Sequence, residues 1–163
     1  MNNVPLFESW DQLSNVLLPF MVRCGVAALC GAMIGLEREL KKKPAGFRTN
    51  ILICVGAAVY MCVGLLMVNA GGVQGDPGRI AAQVVTGIGF LGAGTIIQAG
   101  GRVTGLTSAA TIWVVASIGL VAGSGFPVVA LVAAVMVVLT LAVLGPLEKR
   151  FLDPASADDA PMK

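Results

Sequence analysis

Long apolar runs separated by short polar or glycine-rich intervals recur along the whole chain. They extend from about Pro19 to Leu36, Asn50 to Asn69, Ile80 to Gln98, Gly105 to Gly123 and Pro127 to Leu144. Apolar stretches of about 18 residues or more with few charges read as membrane-spanning helices. The pattern predicts an all-α integral membrane protein with about five transmembrane helices. Residues 5 to 17 follow a different rule. Leu6, Trp10, Leu13 and Leu17 share one helical face, while Glu8, Ser9, Asp11, Gln12 and Ser14 lie elsewhere. That arrangement predicts a short interfacial helix with Trp10 at headgroup level. Residues 1–18 are therefore expected to form an interfacial segment, 19–147 the transmembrane domain and 148–163 a short cytoplasmic tail. Pro19 is expected to mark a kink or a fresh helix start.

The third run is the least ordinary. Between Asp76 and Gly94 the chain spends four glycines in eight residues and opens with an Asp and an Arg. At helical spacing Arg79, Gln83, Gly87, Phe90 and Gly94 fall on one stripe. Small residues let helix backbones approach closely in lipid, so this helix is expected at the centre of the bundle. Gly31, Gly35, Gly87, Gly89, Gly92, Gly94 and Gly105 are the candidate packing glycines, with Gly31 and Gly35 forming a G-x-x-x-G pair. Gly87, Gly89 and Gly92 also spell G-x-G-x-x-G. A dinucleotide site needs a preceding strand and an acidic residue about 20 positions on. No acidic residue lies between Asp76 and Glu148, so the motif is read as helix packing.

Composition narrows the function. Of 163 residues, 56% are hydrophobic and only 12% charged, and mean hydropathy is +0.87. Soluble domains carry about 25% charged residues. The net charge of +2 gives no reason to expect nucleic acid as a partner. Cys24, Cys30, Cys54 and Cys62 all sit inside apolar runs, and the chain has no His. They read as small buried hydrophobes rather than metal ligands. With no His, no activated nucleophile and no paired carboxylates, an enzyme is not expected, nor is a cofactor beyond possible magnesium. The N-terminus has no basic region before its first apolar run, so a cleavable signal peptide is not expected.

The charged residues concentrate at the ends of the runs. Glu37 with Lys41 and Glu39 with Lys43 are favourable i, i+4 pairs if the first helix continues through them. Glu37, Arg38 and Arg48 read either as a solvated helix end or as a functional polar cluster. Asp76 before Pro77 suits a helix N-cap with Pro at the first helical position; cation coordination or an Arg partner is the sharper alternative. Arg23 can snorkel to the nearby interface or pair inside the bundle. Thr104, Thr107, Ser108 and Thr111 are expected on one face of the fourth helix, bonding across helices or to their own backbone. Tyr60 is expected to seek a hydrogen-bond partner. The first loop carries Arg38, Lys41, Lys42, Lys43 and Arg48, the third Arg102 and the tail Lys149 and Arg150. The excess of Lys and Arg on cytoplasmic loops puts the N-terminus in the periplasm and the C-terminus in the cytoplasm.

Four segments, in order, resemble one known family. They are Gly-Leu-Glu-Arg-Glu (35–39), Lys-Pro-Ala-Gly-Phe-Arg-Thr (43–49), Arg-Ile-Ala-Ala-Gln-Val-Val-Thr-Gly-Ile-Gly-Phe-Leu-Gly-Ala-Gly (79–94) and Gly-Leu-Thr-Ser-Ala-Ala-Thr-Ile-Trp (105–113). Over roughly residues 25 to 145 the chain is similar to the MgtC/SapB family of bacterial inner-membrane proteins. The resemblance implies association with low magnesium, acid tolerance and survival in host macrophages, hence stress adaptation and virulence. It also implies a regulator that restrains the F-type ATP synthase rather than a transporter. Carried over by motif, the polar signature is Glu37, Arg38, Gly46, Arg48, Thr49, Asp76, Arg79, Gln83 and Thr107. Asn50 stands where other members often carry His. Many members continue into a cytoplasmic ACT-like domain, and this sequence is expected to represent the transmembrane part alone.

Two functions follow as expectations. The first is a non-enzymatic regulator that binds other integral membrane proteins through glycine-lined helix faces, surrounded by membrane lipids and forming homo-oligomers. The second is a small magnesium or cation transporter, or an oligomeric channel, with Asp76 and Glu37 as the candidate metal ligands. Magnesium usually keeps several waters and takes one or two carboxylates. Asp76 and Glu37 are expected at opposite membrane faces, away from the midplane where transporter sites lie; rings of either in an oligomer would remove that difficulty.

Overall fold

Without water to satisfy them, backbone N–H and C=O groups inside a bilayer must pair within their own segment, which a helix achieves. The computed structural model describes residues 10–69, 76–99 and 102–151. It contains helices α1 (Trp10–Leu40), α2 (Phe47–Asn69), α3 (Pro77–Gly94), α4 (Leu106–Gly123) and α5 (Pro127–Phe151), with a small hairpin of β1 (Ile97–Ala99) and β2 (Arg102–Thr104) between α3 and α4. The protein is an all-α membrane protein in its architecture. Among the described residues, four helices are long and apolar enough to cross a membrane: α1 from Ser14, α2, α4 and α5 as far as Gly145. α3 has 18 residues, but Arg79, Gln83 and its glycines dilute its hydropathy. It still runs the height of the bundle, from Ile80 beside Gly64 of α2 to Gly92 beside Ala109 of α4.

Three elements differ from the sequence expectation. No fresh helix starts at Pro19: α1 is one helix of 31 residues with Pro19 inside it. A proline there removes one backbone hydrogen bond, which transmembrane helices tolerate because neighbours and local adjustment satisfy the freed carbonyl. Residues 1–9 of the expected interfacial segment lie outside the described residues, as does most of the tail. The third helix stops at Gly94 rather than Gln98, and the chain turns into the hairpin, pairing Ile97 with Thr104. The tip at Gly100 and Gly101 lies outside the described residues.

The third difference concerns the centre. The expected central helix, α3, lies on the flank, where Gly92 is its one buried residue. Gly87, Gly89 and Gly94 have no neighbour within 4 Å of the place a Cβ would take. The core instead joins α1, α2, α4 and α5 through Ala27, Cys30, Ile34, Cys54, Ala58, Val115, Ile118, Ala122, Ala130 and Ala134. A smaller cluster, Ala57, Ala116 and Leu120, holds Ala81, Val84, Val85 and Ile88 of α3.

Two glycine pairs with identical spacing set the core. A Cβ on Gly31 would stand 2.7 Å from the Asn50 carbonyl oxygen, and one on Gly35 2.8 Å from that of Phe47. On α4, Gly119 meets the Cys54 carbonyl at 2.2 Å and Gly123 that of Ala58 at 2.5 Å. One stripe of α2 carbonyls thus receives α1 along its first half and α4 along its second. Arg23, expected to snorkel or to pair, pairs: Nη1 donates to the Gly123 carbonyl at 3.1 Å. Gly125, at φ +94°, closes α4 in the left-handed conformation.

Gly119→Ala should therefore lower thermal stability in detergent by about 1–3 kcal/mol, the usual cost of overpacking. Gly94→Ala, entering open space, should be neutral or slightly stabilising, since Ala exceeds Gly in helix propensity by about 1 kcal/mol. Equal losses in the two melts would contradict this arrangement.

Candidate functional site

The polar residues singled out by the sequence divide between the two ends of the bundle. At the end formed by the α1–α2 loop, α1 finishes with Glu37-Arg38-Glu39-Leu40. Arg38 is 3% exposed, and its Nε donates to Glu37 Oε2. Lys41 Nζ lies 2.8 Å from Glu37 Oε1 as an ion pair, outside hydrogen-bond geometry. Lys41 also donates to the Leu141 carbonyl of α5 at 2.9 Å, tying α5 to this end. The expected Glu37–Lys41 pair is present. The expected Glu39–Lys43 pair is not formed, because the helix has ended. Lys43 N–H bonds the Arg38 carbonyl and Lys42 N–H that of Glu39, with Lys42 left-handed at φ +51°. This is a Schellman closure with a lysine where glycine is usual.

Freed from Lys43, Glu39 serves the next helix. Its Oε2 accepts the Phe47 N–H at 3.0 Å, satisfying a donor that the start of α2 would leave orphaned. Gly46 sits so close that a Cβ there would strike the Glu39 carboxylate. Asn50 is fully buried; Nδ2 donates to the carbonyls of Ala45 at 2.9 Å and Gly46 at 2.8 Å, while Oδ1 has no partner. Arg48 and Thr49 are exposed beside a shallow pocket that Glu39, Lys43 and Phe47 also line. The four hydroxyls do not share one face of α4: Thr104 lies in β2 and is exposed, and on α4 Ser108 and Thr111 are buried while Thr107 is exposed. Thr111 Oγ1 bonds back to the Thr107 carbonyl at 2.7 Å. Glu39, Asn50 and Ser108 are the residues at this end that sequence reasoning did not single out as site residues. A G-F pair eight positions after a glutamate is too weak a signal to reveal the tertiary cap.

Asp76, Arg79 and Gln83 stand at the opposite end of the bundle from Glu37. Asp76 is exposed and acts as the N-cap of α3, with Oδ1 accepting the Gly78 N–H at 2.8 Å. Arg79 and Gln83 are exposed and face α2 across a groove of about 690 Å³. Tyr60, 65% exposed, lines the α2 side, and Leu52, Gly56, Gly87 and Leu91 continue the apolar walls.

These positions do not fit a magnesium ion shared by Glu37 and Asp76 in one chain. The two carboxylates lie at opposite ends; Glu37 is neutralised by Arg38 and Lys41, and Asp76 is engaged with backbone. Among the described residues no group of three His, Cys, Asp or Glu could hold a metal.

Glu37→Ala should cost about 3–5 kcal/mol, because it leaves the buried Arg38 unpaired. Lys41→Ala, removing a side chain 37% exposed, should cost about 1 kcal/mol or less. Similar melting temperatures for the two would show that the Arg38 pair is not structural. Asp76→Asn should leave stability unchanged, since Asn caps as well as Asp, whereas Asp76→Ala should lose about 0.5–2 kcal/mol.

The MgtC family profile matches residues 24–150. The chain is similar to "Putative magnesium transporter YhiD" of Escherichia coli K12, 43% identical over 138 residues that cover 82% of this chain and 64% of that one. It is 46% identical to Protein MgtC of Brucella abortus over 123 residues, 74% of this chain and 49% of the relative. Protein MgtC of Salmonella typhimurium is 44% identical over 110 residues, 68% and 46% of the two chains. The chain thus spans about half to two thirds of the length of these relatives. No solved structure matches it. The match takes in both polar ends, the groove and the glycine pairs of α1 and α4: this multi-pass membrane protein belongs to the MgtC family.

Proposed function

We propose that the chain is a non-enzymatic inner-membrane regulator that acts by binding other integral membrane proteins, the F-type ATP synthase among them, in adaptation to low magnesium, acid or host stress. The observation that carries this reading is the outward face of α3. Ala82, Thr86, Gly89 and Ala93 fall at helical spacing on an exposed strip, with Phe90 84% exposed beside them. Small residues at that spacing admit a second helix at close range, and backbone packing is what drives helix association in lipid. A projecting aromatic side chain next to such a strip is a natural anchor. The same face would serve self-association into a homo-oligomer.

The basic residues of the α1–α2 loop favour a cytoplasmic position for that end and a periplasmic N-terminus. The regulator would then present its buried Glu37–Arg38 pair to the cytoplasm and Asp76 and Arg79 to the periplasm. A second reading, cation transport, is favoured by the printed name of the Escherichia coli relative. In a single chain it lacks a carboxylate at mid-membrane among the described residues, and would need several copies.

A photo-reactive residue in place of Phe90 should cross-link in living membranes to another integral membrane protein. Gly89→Leu, whose Cβ would have no described neighbour within 4 Å, should abolish the cross-link without lowering thermal stability. Purified protein in liposomes should pass no magnesium. Magnesium flux that survives Gly89→Leu, with no cross-linked partner, would decide for transport.

A further inference from the structure

The groove between α2 and α3 lies on a different face of α3 from the proposed docking strip and has its own chemistry. Its polar groups gather at one end. Antiparallel packing anchored by Gly64 against Ile80 sets Tyr60 level with Gln83 and Val84, Gly56 level with Gly87 and Ile88, and Leu52 with Leu91. Arg79 therefore stands at the mouth, Gln83 and Tyr60 just inside, and apolar walls run on to Leu91. Among the described residues no carboxylate lies within 4 Å of the Arg79 guanidinium.

We propose that this groove binds a single phospholipid, with its phosphate held by Arg79, its glycerol region beside Gln83 and Tyr60, and one acyl chain lying along the glycine-lined floor to Leu91. Charge complementarity selects the occupant. An unpaired guanidinium at headgroup depth offers a planar fork of donors that matches phosphate. The dimensions agree. Arg79 to Leu91 spans twelve residues, roughly 18 Å of helix at 1.5 Å per residue. One leaflet of a hydrocarbon core about 30 Å thick is about 15 Å deep, leaving the remainder for the headgroup boundary. The floor is open because Gly56 and Gly87 carry no side chain and nothing lies within 4 Å of where one would begin. A helix from another chain would fill the apolar part, but it would have to bring a carboxylate to Arg79.

The test uses the full chain, stripped of lipid in detergent and titrated with dioleoylphosphatidylglycerol under native mass spectrometry. One lipid should bind per chain ahead of all others. Arg79→Ala should weaken that first binding step about tenfold, equivalent to about 1.4 kcal/mol, and Arg79→Lys should recover part of it. Gly87→Phe should fill the floor and remove the step, while its melting temperature stays that of the parent. Gly56→Phe on the facing helix should give the same loss, which separates filling of the groove from any effect of the Gly87 substitution on folding. Lipid adducts that add without a preferred first step, or that are unchanged in the Arg79 and glycine variants, would overturn the proposal and leave only bulk lipid at this face. A dimer that replaces the adduct, and is itself lost with Gly87→Phe, would overturn it in favour of a second copy of the chain.

Discussion

The close approach of α2 to glycines on two neighbours is the constraint on which the rest of this bundle depends. Lipid tails are as apolar as leucine, so burying apolar surface between helices brings little hydrophobic gain, and association rests on packing and polar contacts. Gly31 and Gly35 on α1, and Gly119 and Gly123 on α4, bring their backbones against the carbonyls of Phe47, Asn50, Cys54 and Ala58. At that range Cα–H groups can contact carbonyl oxygens, each contact adding about 0.5–1 kcal/mol. Once α2 is gripped this way, the remaining placements follow. α4 ends where its last carbonyls can be met by Arg23, and α1 ends where Lys41 can reach α5.

That arrangement also decides where charge can be tolerated. A charged side chain at the bilayer centre is expensive, and the described charged residues sit near the helix ends except Arg23, which lies midway along α1 and is met by the Gly123 carbonyl at the end of α4. Those at the end of α1 each have a specific task. Arg38 is neutralised by Glu37, and Glu37 is in turn neutralised by Lys41 as well. Glu39 has left the ion-pair pattern of its own helix to cap the next one. The basic end is thus a connected structural unit joining α1, α2 and α5 rather than a loose solvated loop. The opposite end is different: Asp76 caps its helix locally, and Arg79 is held by no carboxylate among the described residues.

Much of this was legible in the sequence, and what was not has physical reasons. Runs of apolar residues marked the helices because a spanning helix needs only length and hydropathy. The Gly31/Gly35 pair and the Asp76-Pro77 cap were readable because each is a local rule. The place of α3 was misread because glycine content says that a backbone can be approached, not that a neighbour approaches it. The equally spaced Gly119 and Gly123 sit in an otherwise featureless apolar run and drew no notice, yet they are the ones that close on α2. The continuity of α1 through Pro19 escaped for a related reason: a proline that ends helices in water is tolerated in lipid. The Glu39 cap is tertiary in origin, so no spacing within one helix could reveal it.

The glycines of α3 then ask for a different account from those of α1 and α4. A glycine inside a helix costs about 1 kcal/mol relative to alanine, and on α1 and α4 the close packing offsets that cost. On α3, Gly87, Gly89 and Gly94 incur it with no neighbour in the same chain to offset it. Gly87 opens the groove beneath Arg79, while Gly89 lies on the outward strip beside Phe90. The helix also has the fewest buried residues of the five, Gly92 alone, so it contributes least to holding the bundle together. Elements that engage ligands and partners come from the low-stability end of a fold. Under the proposed function and the proposed lipid site, a helix that is costly alone and fits the bundle poorly would be stabilised by what docks on it, with lipid on one face and a protein helix on the other.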